Sequence, residues 1–264
     1  MSDAGRWSDL GPRFGVGALI AVVGLICVWL GGLPFLALTV LISGVMVWEL
    51  VRMLDPEAPA VVLACAAGLA LTIADLLPAG YALPLVLTPI FVGVGQLGQR
   101  RATYSIFTLA ILLAGFGMYS LRENYGAVWM MWLALVVIAT DVMGYFAGRF
   151  IGGPKMWPRV SPKKTWSGTI AGWIGAAIVA LFFVLYTGAN AQLLGVAVAL
   201  SMASQIGDIA ESAVKRRAGV KDSSSLLPGH GGLFDRFDGM LGASVLMLMS
   251  ARLIDFPPGL TAAQ

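Results

Sequence analysis

Residues 168–188 read GTIAGWIGAAIVALFFVLYTG, a run of 21 residues without one charged side chain. A helix that crosses a bilayer needs about 20 predominantly apolar residues, so this run is long enough to span a membrane. The whole chain has the same character: 58% of its 264 residues are hydrophobic and 12% are charged, whereas soluble domains average about 25% charged residues. Such a chain cannot cover a soluble domain with polar side chains. The sequence therefore predicts an integral membrane protein.

Apolar runs of similar length recur along the chain and predict an all-α, polytopic membrane protein with about nine transmembrane helices. The first run exceeds the core of a typical signal peptide and is interpreted as a retained helix. Pro84 and Pro89 lie inside the fourth run, where a kink is expected. Because no internal repeat or low-complexity linker separates the runs, we expect a single membrane domain over residues 1–264. The predicted spans are 14–32, 34–52, 59–78, 80–97, 102–121, 126–148, 168–188, 191–214 and 239–255.

The basic residues are distributed unevenly between the two sides of these spans. If the N-terminus is cytoplasmic, 15 of the 17 Lys and Arg residues fall on the cytoplasmic side, and Arg122 and Arg252 fall on the other. Loops rich in Lys and Arg stay in the cytoplasm, so the asymmetry predicts a cytoplasmic N-terminus and two cytoplasmic polar loops, 149–164 and 215–236. The net charge of +3 is therefore assigned to membrane orientation rather than to nucleic-acid binding.

The first polar cluster begins at Asp141 and ends at the start of the seventh predicted span. A carboxylate inside a membrane helix is costly and marks a candidate functional site; the alternative is an interfacial aspartate paired with Arg149. The loop that follows presents two lysines beside hydroxyl groups at a helix start, a combination that suits an anion. The alternative here is nonspecific contact with anionic lipid head groups. The candidate phosphate-binding residues of this cluster are Ser161, Lys163, Lys164 and Thr165.

The second polar cluster begins on the eighth predicted helix, where four polar residues have the spacing of one helical face: Asp208, Glu211, Ser212 and Lys215. The stretch KDSSSLLPGHGGLFDRFDG, residues 221–239, follows and contains the only histidine of the chain. Carboxylates of this kind suit Mg²⁺, glycines let backbone N–H groups approach a phosphate, and Lys and Arg neutralise it. The alternative for Asp208 and Lys215 is a structural ion pair. Together, these residues indicate phosphoryl or nucleotidyl transfer at the cytoplasmic membrane surface.

Residues 212–238, SAVKRRAGVKDSSSLLPGHGGLFDRFD, resemble the signature of the phosphatidate cytidylyltransferase family, also called CDP-diglyceride synthases. That signature runs Ser, two residues, Lys-Arg, four residues, Lys-Asp, a short linker, His-Gly-Gly, two residues, Asp-Arg, one residue and Asp. The segments around Asp141 and SPKKTWSG, residues 161–168, also resemble the family, whereas residues 1–125 carry none of its motifs. The matching signature positions are Ser212, Lys215, Arg216, Lys221, Asp222, His230, Gly231, Gly232, Asp235, Arg236 and Asp238.

The resemblance implies an enzyme that makes CDP-diacylglycerol and pyrophosphate from CTP and phosphatidate, as a homodimer in the cell (inner) membrane. It implies Mg²⁺ as cofactor, with room for a second, monovalent cation. The implied metal ligands are Asp208 and Asp235, with Asp238 and Asp141 nearby. The implied catalytic residues are Asp208, Lys215, Lys221, His230, Asp235 and Arg236; the implied phosphate-binding residues are Ser212, Arg216, Gly231 and Gly232, together with those of the first cluster.

The role of His230 follows from the chemistry of the nucleophile. The second pKa of a phosphate monoester is about 6, so phosphatidate is already mostly dianionic at neutral pH and needs no general base. We therefore expect His230 to bond a phosphate or to hold the glycine turn rather than to accept a proton.

Three other functions stay open on the sequence. The stretch from Asp235 to Gly239 imitates the opening of the CDP-alcohol phosphatidyltransferase motif, but the residues that follow do not fit that family. A CTP-dependent lipid kinase would use the same nucleotide and transfer its γ-phosphoryl group. An ion-coupled transporter would use Asp141 and Asp208 as intramembrane ion ligands.

Overall fold

The computed structural model describes residues 10–77, 79–227, 229, 231–251 and 253–259. In this part of the chain, ten α-helices coincide with the apolar runs of the sequence, and one antiparallel hairpin precedes the eighth helix. The helices are α1 (Leu10–Leu30), α2 (Gly32–Leu54), α3 (Ala60–Leu76), α4 (Ala79–Val86), α5 (Thr88–Gln96), α6 (Arg101–Tyr125), α7 (Ala127–Phe150), α8 (Trp166–Thr187), α9 (Gln192–Ala218) and α10 (Phe234–Ser250). The hairpin strands are β1 (Lys155–Trp157) and β2 (Ser161–Thr165).

Five helices of the described chain, α2 and α6 to α9, are long and apolar enough to cross a membrane. Large apolar side chains lie on their surfaces: Leu33 of α2 is 79% exposed and Leu185 of α8 is 72% exposed. Soluble proteins rarely expose extended apolar surfaces, whereas lipid tails cover them. The predicted helical membrane protein is confirmed at this level. Shorter apolar segments lie at Gly17–Leu30, Ala60–Leu76 and Pro84–Gln96, so the count of nine spans stays a prediction.

Two local features differ from the sequence prediction. The kink expected in the fourth span, 80–97, is present but goes further than predicted, because the span is divided into two helices, α4 and α5, that meet at Leu87. Pro84 lies inside α4 and Pro89 in the first turn of α5, and proline removes a backbone donor and clashes with the preceding turn. The second difference is the hairpin, in which Lys155 pairs with Thr165. Its strands are too short and polar to produce the alternating apolar pattern of a buried strand.

Backbone contacts divide the chain into two compact units. The first comprises Met1–Gly115 and Arg217–Phe237, and the second comprises Phe116–Arg216 and Asp238–Gln264. In the first unit, α2 packs against α3, with Leu50 and Leu63 fully buried. Tyr104 is buried in the same unit and donates a 2.8 Å hydrogen bond to the carbonyl of Pro89. The prediction of a single domain stays a prediction.

In the second unit, α7 and α8 pack closely through small residues. A Cβ atom added at Gly168 of α8 would lie 2.5 Å from the carbonyl oxygen of Gly144 on α7, so a larger residue cannot occupy this position without moving a helix. At the far end of α7, the rings of Trp129 and Phe256 lie 5.0 Å apart in an edge-to-face arrangement. The glycine contact sets how closely the polar ends of α7 and α8 approach.

Candidate active site

A cavity of about 480 Å³ lies in the second unit, lined by α7, the hairpin, α8 and α9. α7 contributes a carboxylate and an arginine, the hairpin contributes lysines, and α9 contributes a second carboxylate. Such a cavity can bind an anion through the basic groups and a cation through the carboxylates. Its charged lining residues are Asp141, Arg149, Lys155, Lys163, Lys164 and Asp208.

Lys164 makes the ion pair of this cavity. Its Nζ lies 2.6 Å from Asp208 Oδ2 and donates to the carbonyl of Gln205 at 3.4 Å. The two charged side chains are 24% and 31% exposed, so a ligand can still reach them. The position of Lys164 follows from the next residue, because Thr165 ends β2 and caps α8: its Oγ1 accepts a 3.2 Å bond from the N–H of Gly168.

Three carboxylates of the second unit lie near one another. Asp141 and Asp238 both interact electrostatically with Asp208, and Asp238 also interacts with Lys215. Mutual repulsion between carboxylates favours a bound cation, and Mg²⁺ needs one or two of them when phosphate oxygens and water complete its shell. One or two of these carboxylates are therefore enough to fit a magnesium ion that also binds phosphate. Within the described ranges, no group of three or more His, Cys, Asp or Glu side chains could hold a metal ion, so both the magnesium ion and the monovalent cation stay predictions.

The polar face of α9 has the contacts that its spacing predicts. Ser212 donates to Asp208 Oδ1 at 3.4 Å, one turn away. Lys215 Nζ lies 2.6 Å from Glu211 Oε2, and the Glu211 side chain is only 1% exposed. The sequence places Glu211 on this face but assigns it no role. The structure makes it the buried partner of Lys215.

Gln205 is a residue of the site that the sequence interpretation missed. Its amide nitrogen donates to the carbonyl of Thr169 at 3.1 Å, and its amide oxygen accepts from Trp173 Nε1 at 3.0 Å. These bonds join α9 to α8 at the lining of the cavity. The available signal was a glutamine one turn before Asp208, after the mainly apolar first half of α9, because a buried amide needs polar partners.

In the first unit, Asp235 closes the polar loop between α9 and α10, residues 219–233, hereafter the polar loop. Its Oδ2 accepts bonds from the N–H of Ser223 at 2.9 Å, the Ser223 hydroxyl at 2.9 Å and the N–H of Gly232 at 2.8 Å. Gly231 adopts a left-handed φ of 78°, and a Cβ there would lie 2.8 Å from Asp235 Oδ2. The glycine pair thus lets the loop close onto Asp235, a different reason from the expected approach to a phosphate. The metal role of Asp235 stays a prediction.

Glu49 is the second residue that the sequence interpretation missed. It lies on α2, is fully buried, and contacts the polar loop within the first unit. The available signal was a carboxylate inside the second predicted span, 34–52, where a charge is costly.

The other predicted residues are distributed over both units. Ser161 pairs with Trp157 across the hairpin, and Arg149 donates to the Tyr145 hydroxyl at 3.1 Å. His230 lies outside the described residues. Arg216 is exposed in the second unit, and three of the predicted residues are exposed in the first unit: Lys221, Asp222 and Arg236.

Comparison with known proteins agrees with these features. The model of a family described as "Cytidylyltransferase family" matches residues 12–254. A protein of Brucella abortus (strain 9-941) named phosphatidate cytidylyltransferase is 44% identical over 161 residues, which cover 58% of this chain and 59% of that relative. The aligned part thus spans less than two thirds of that relative's length.

Two further relatives carry the same name. The protein of Bacillus subtilis (strain 168) is 33% identical over 255 residues, which cover 88% of this chain and 94% of the relative. The protein of Staphylococcus aureus (strain COL) is 38% identical over 173 residues, covering 64% of this chain and 66% of the relative. With the family model matching nearly the whole chain and the polar clusters on α7, β2 and α9 lining one cavity, the chain belongs to the cytidylyltransferase family.

Proposed function

We propose that this protein is a phosphatidate cytidylyltransferase, which transfers the cytidylyl group of CTP to phosphatidate and forms CDP-diacylglycerol and pyrophosphate. The observation that carries the proposal is the cavity of the second unit, where Lys163 and Lys164 lie with Asp208 in a membrane protein of this family. The names of the relatives support the same substrates.

In the proposed reaction, a phosphate oxygen of phosphatidate attacks the α-phosphorus of CTP, and the bond between the α-phosphorus and the pyrophosphate leaving group breaks. Lys163 and Lys164 hold the phosphatidate head group, and the acyl chains remain in the bilayer. The CTP phosphates are held by the basic residues of the second cluster: Lys215, Arg216, Lys221 and Arg236. The contribution of the protein is to neutralise and orient two anions that otherwise repel each other.

Magnesium is the proposed cofactor. When bound, it would neutralise phosphate charge on CTP and on the leaving pyrophosphate. The candidate ligands in the second unit are Asp208, Asp238 and Asp141, of which one or two would suffice beside phosphate oxygens and water. Asp235 of the first unit is the remaining candidate ligand, and a monovalent cation is a further proposed component.

The proposal includes the membrane arrangement. We expect a multi-pass homodimer in the cell (inner) membrane, with nine spans, a cytoplasmic N-terminus and cytoplasmic loops at 149–164 and 215–236. The charge asymmetry of 15 of 17 basic residues supports this orientation. The substrates support it too, because phosphatidate lies in the bilayer and CTP is dissolved in the cytoplasm.

The test uses detergent-purified protein with phosphatidate, Mg²⁺ and CTP labelled separately at the α and γ phosphates. Cytidylyl transfer puts the α label into the lipid and the γ label into pyrophosphate. Entry of the γ label into the lipid would show a CTP-dependent lipid kinase instead. Transfer of neither label would overturn both enzymatic functions.

A further inference from the structure

The carboxylate of Glu49 is fully buried on α2, within a predicted membrane span. Removing a carboxylate from water is unfavourable unless hydrogen bonds or an opposite charge compensate. Here Oε1 accepts from the Ser224 hydroxyl at 2.6 Å and the Leu233 N–H at 2.9 Å, and Oε2 accepts from the Phe234 N–H at 2.7 Å. The Ser223 hydroxyl lies 3.2 Å from Oε2 and 2.9 Å from Asp235 Oδ2, and its one proton is shared between the two carboxylates. All of these donor groups belong to the polar loop or to the first residue of α10.

The two backbone donors lie where α10 begins. The first N–H groups of a helix have no acceptor within the helix, and a negative charge near them is favourable. Glu49 therefore caps α10 from a helix 185 residues earlier in the chain. This contact determines where α10 begins, and its first turn carries Asp235 and Arg236.

Glu49 and Asp235 both contact the polar loop. The Ser223 hydroxyl lies within hydrogen-bond distance of both carboxylates, and Asp235 Oδ2 also accepts from the Gly232 N–H. A Cβ added at Gly232 would lie 2.6 Å from Glu49 Oε1 and would collide with the Ser223 hydroxyl oxygen. A larger residue at 232 would therefore displace the side chains of Ser223 and Glu49 from their present contacts.

We propose that Glu49 is a positioning residue for the reaction: it holds the polar loop and the first turn of α10 in the geometry in which their charged residues bind the CTP phosphates. This inference rests on the proposed function. Glu49 accepts hydrogen bonds from the segment that carries Lys221, Asp235 and Arg236. Without this carboxylate, the backbone N–H groups of Leu233 and Phe234 would lose their acceptor at the start of this segment.

The test compares three single variants. Glu49→Gln keeps the size of the side chain but puts an NH₂ group where one oxygen accepts a backbone N–H, either that of Leu233 or that of Phe234. A serine hydroxyl can rotate to accept a bond, but a backbone N–H cannot. Ser224→Ala removes one donor without changing Glu49. Thr39→Val is the matched control, because Thr39 is buried on the same helix. Its hydroxyl lies within hydrogen-bond distance of two carbonyl oxygens of that helix, those of Phe35 at 3.0 Å and Leu36 at 2.8 Å.

For Glu49→Gln we expect about a tenfold or larger fall in kcat/KM for CTP, because one buried N–H loses its acceptor, while KM for phosphatidate stays near the wild-type value. Ser224→Ala should show a smaller change in the same direction, and Thr39→Val should show none. Hydrogen exchange should accelerate in peptides covering the polar loop and the start of α10, but not in peptides of α3.

Wild-type CTP kinetics together with wild-type loop exchange in Glu49→Gln would overturn the inference. An equal loss for both substrates with faster exchange throughout α2 and α3 would also overturn it, because that result indicates general support of the fold. If Glu49→Gln cannot be purified folded, wild-type kinetics and exchange in Ser224→Ala decide against the inference. If the wild-type protein transfers no cytidylyl group, the proposed function fails, and the exchange experiment still decides whether Glu49 holds the loop.

Discussion

Lys164 and Asp208 show how a single ion pair joins the two sequence clusters, since one residue comes from β2 and the other from α9 at 2.6 Å. Because both side chains are partly exposed, the pair by itself adds little to stability. We propose that its charges instead serve the phosphate and the metal ion of the proposed reaction. At this scale, each residue can be tested by a substitution that changes charge but little else.

Replacing Lys164 by methionine removes the charge and keeps the length of the side chain. We expect turnover to fall about 10²-fold, as when one preorganised donor to a reacting phosphate is lost, without a matching loss of melting temperature. The measurement is label transfer from CTP to phosphatidate, with Arg159→Gln as control, because Arg159 is an exposed residue of the hairpin turn. Activity of Lys164→Met close to that of Arg159→Gln would contradict the role.

Replacing Asp208 by asparagine removes one proposed ligand of magnesium. We expect the Mg²⁺ concentration for half-maximal activity to rise about tenfold or more, because Mg²⁺ depends on few protein carboxylates. The check is a magnesium titration beside Asp75→Asn, a carboxylate of α3 outside the cavity. An unchanged titration would remove Asp208 from the metal site. Asp235→Asn is a less specific test of metal binding, because Asp235 Oδ2 also accepts bonds from the polar loop and the substitution could disturb the loop as well.

Helices α7 and α8 hold the cavity in shape through direct backbone contact. Gly168 meets the carbonyl of Gly144, and a Cβ at Gly172 would lie 3.0 Å from the carbonyl oxygen of Thr140 on α7. α7 carries Asp141, and the cap of α8 follows Lys164, so the spacing of these helices sets the distance between two charged groups of the site.

Gly168→Ala should therefore destabilise the protein by about 1–3 kcal/mol, because the added methyl group forces α7 and α8 apart. Thermal unfolding in detergent measures the change. The control is Gly195→Ala on α9, where an added Cβ meets nothing within 4 Å; helix propensity makes it neutral or stabilising by about 0.5–1 kcal/mol. Equal melting temperatures for the two variants would show that the glycine contact does not limit helix spacing.

At the scale of the whole molecule, the testable property is orientation in the membrane. One span, α7, separates Asn124 from Arg159. With Cys27 and Cys65 replaced by alanine, Asn124→Cys should react with a membrane-impermeant maleimide in intact cells, and Arg159→Cys should react only after permeabilisation, because basic loops stay cytoplasmic. The reverse labelling pattern would invert the proposed topology. Retained cytidylyl transfer in both variants is the control for folding.

The sequence by itself determined the membrane class, the helix positions and the polar face of α9. Hydropathy and helical spacing are local, so runs of apolar residues predict helices without any knowledge of their neighbours. The signature between Ser212 and Asp238 could be recognised for the same reason, because its residues are close together in the sequence. The prediction was less accurate at 80–97, where proline breaks the helix, and in the hairpin, whose short polar strands have no distinctive pattern.

Only the tertiary structure decided which distant residues meet. Lys164 pairs with Asp208, Gln205 joins α9 to Trp173, and Glu49 caps α10 from 185 residues away. No periodic pattern in the sequence predicts these contacts, because each depends on how separate helices pack. The glycine pair at 231–232 shows the same limit: its composition suggests a phosphate loop, whereas its neighbours in the fold are the carboxylates of Asp235 and Glu49. Buried charges must find partners, and the packing determines which partners they find.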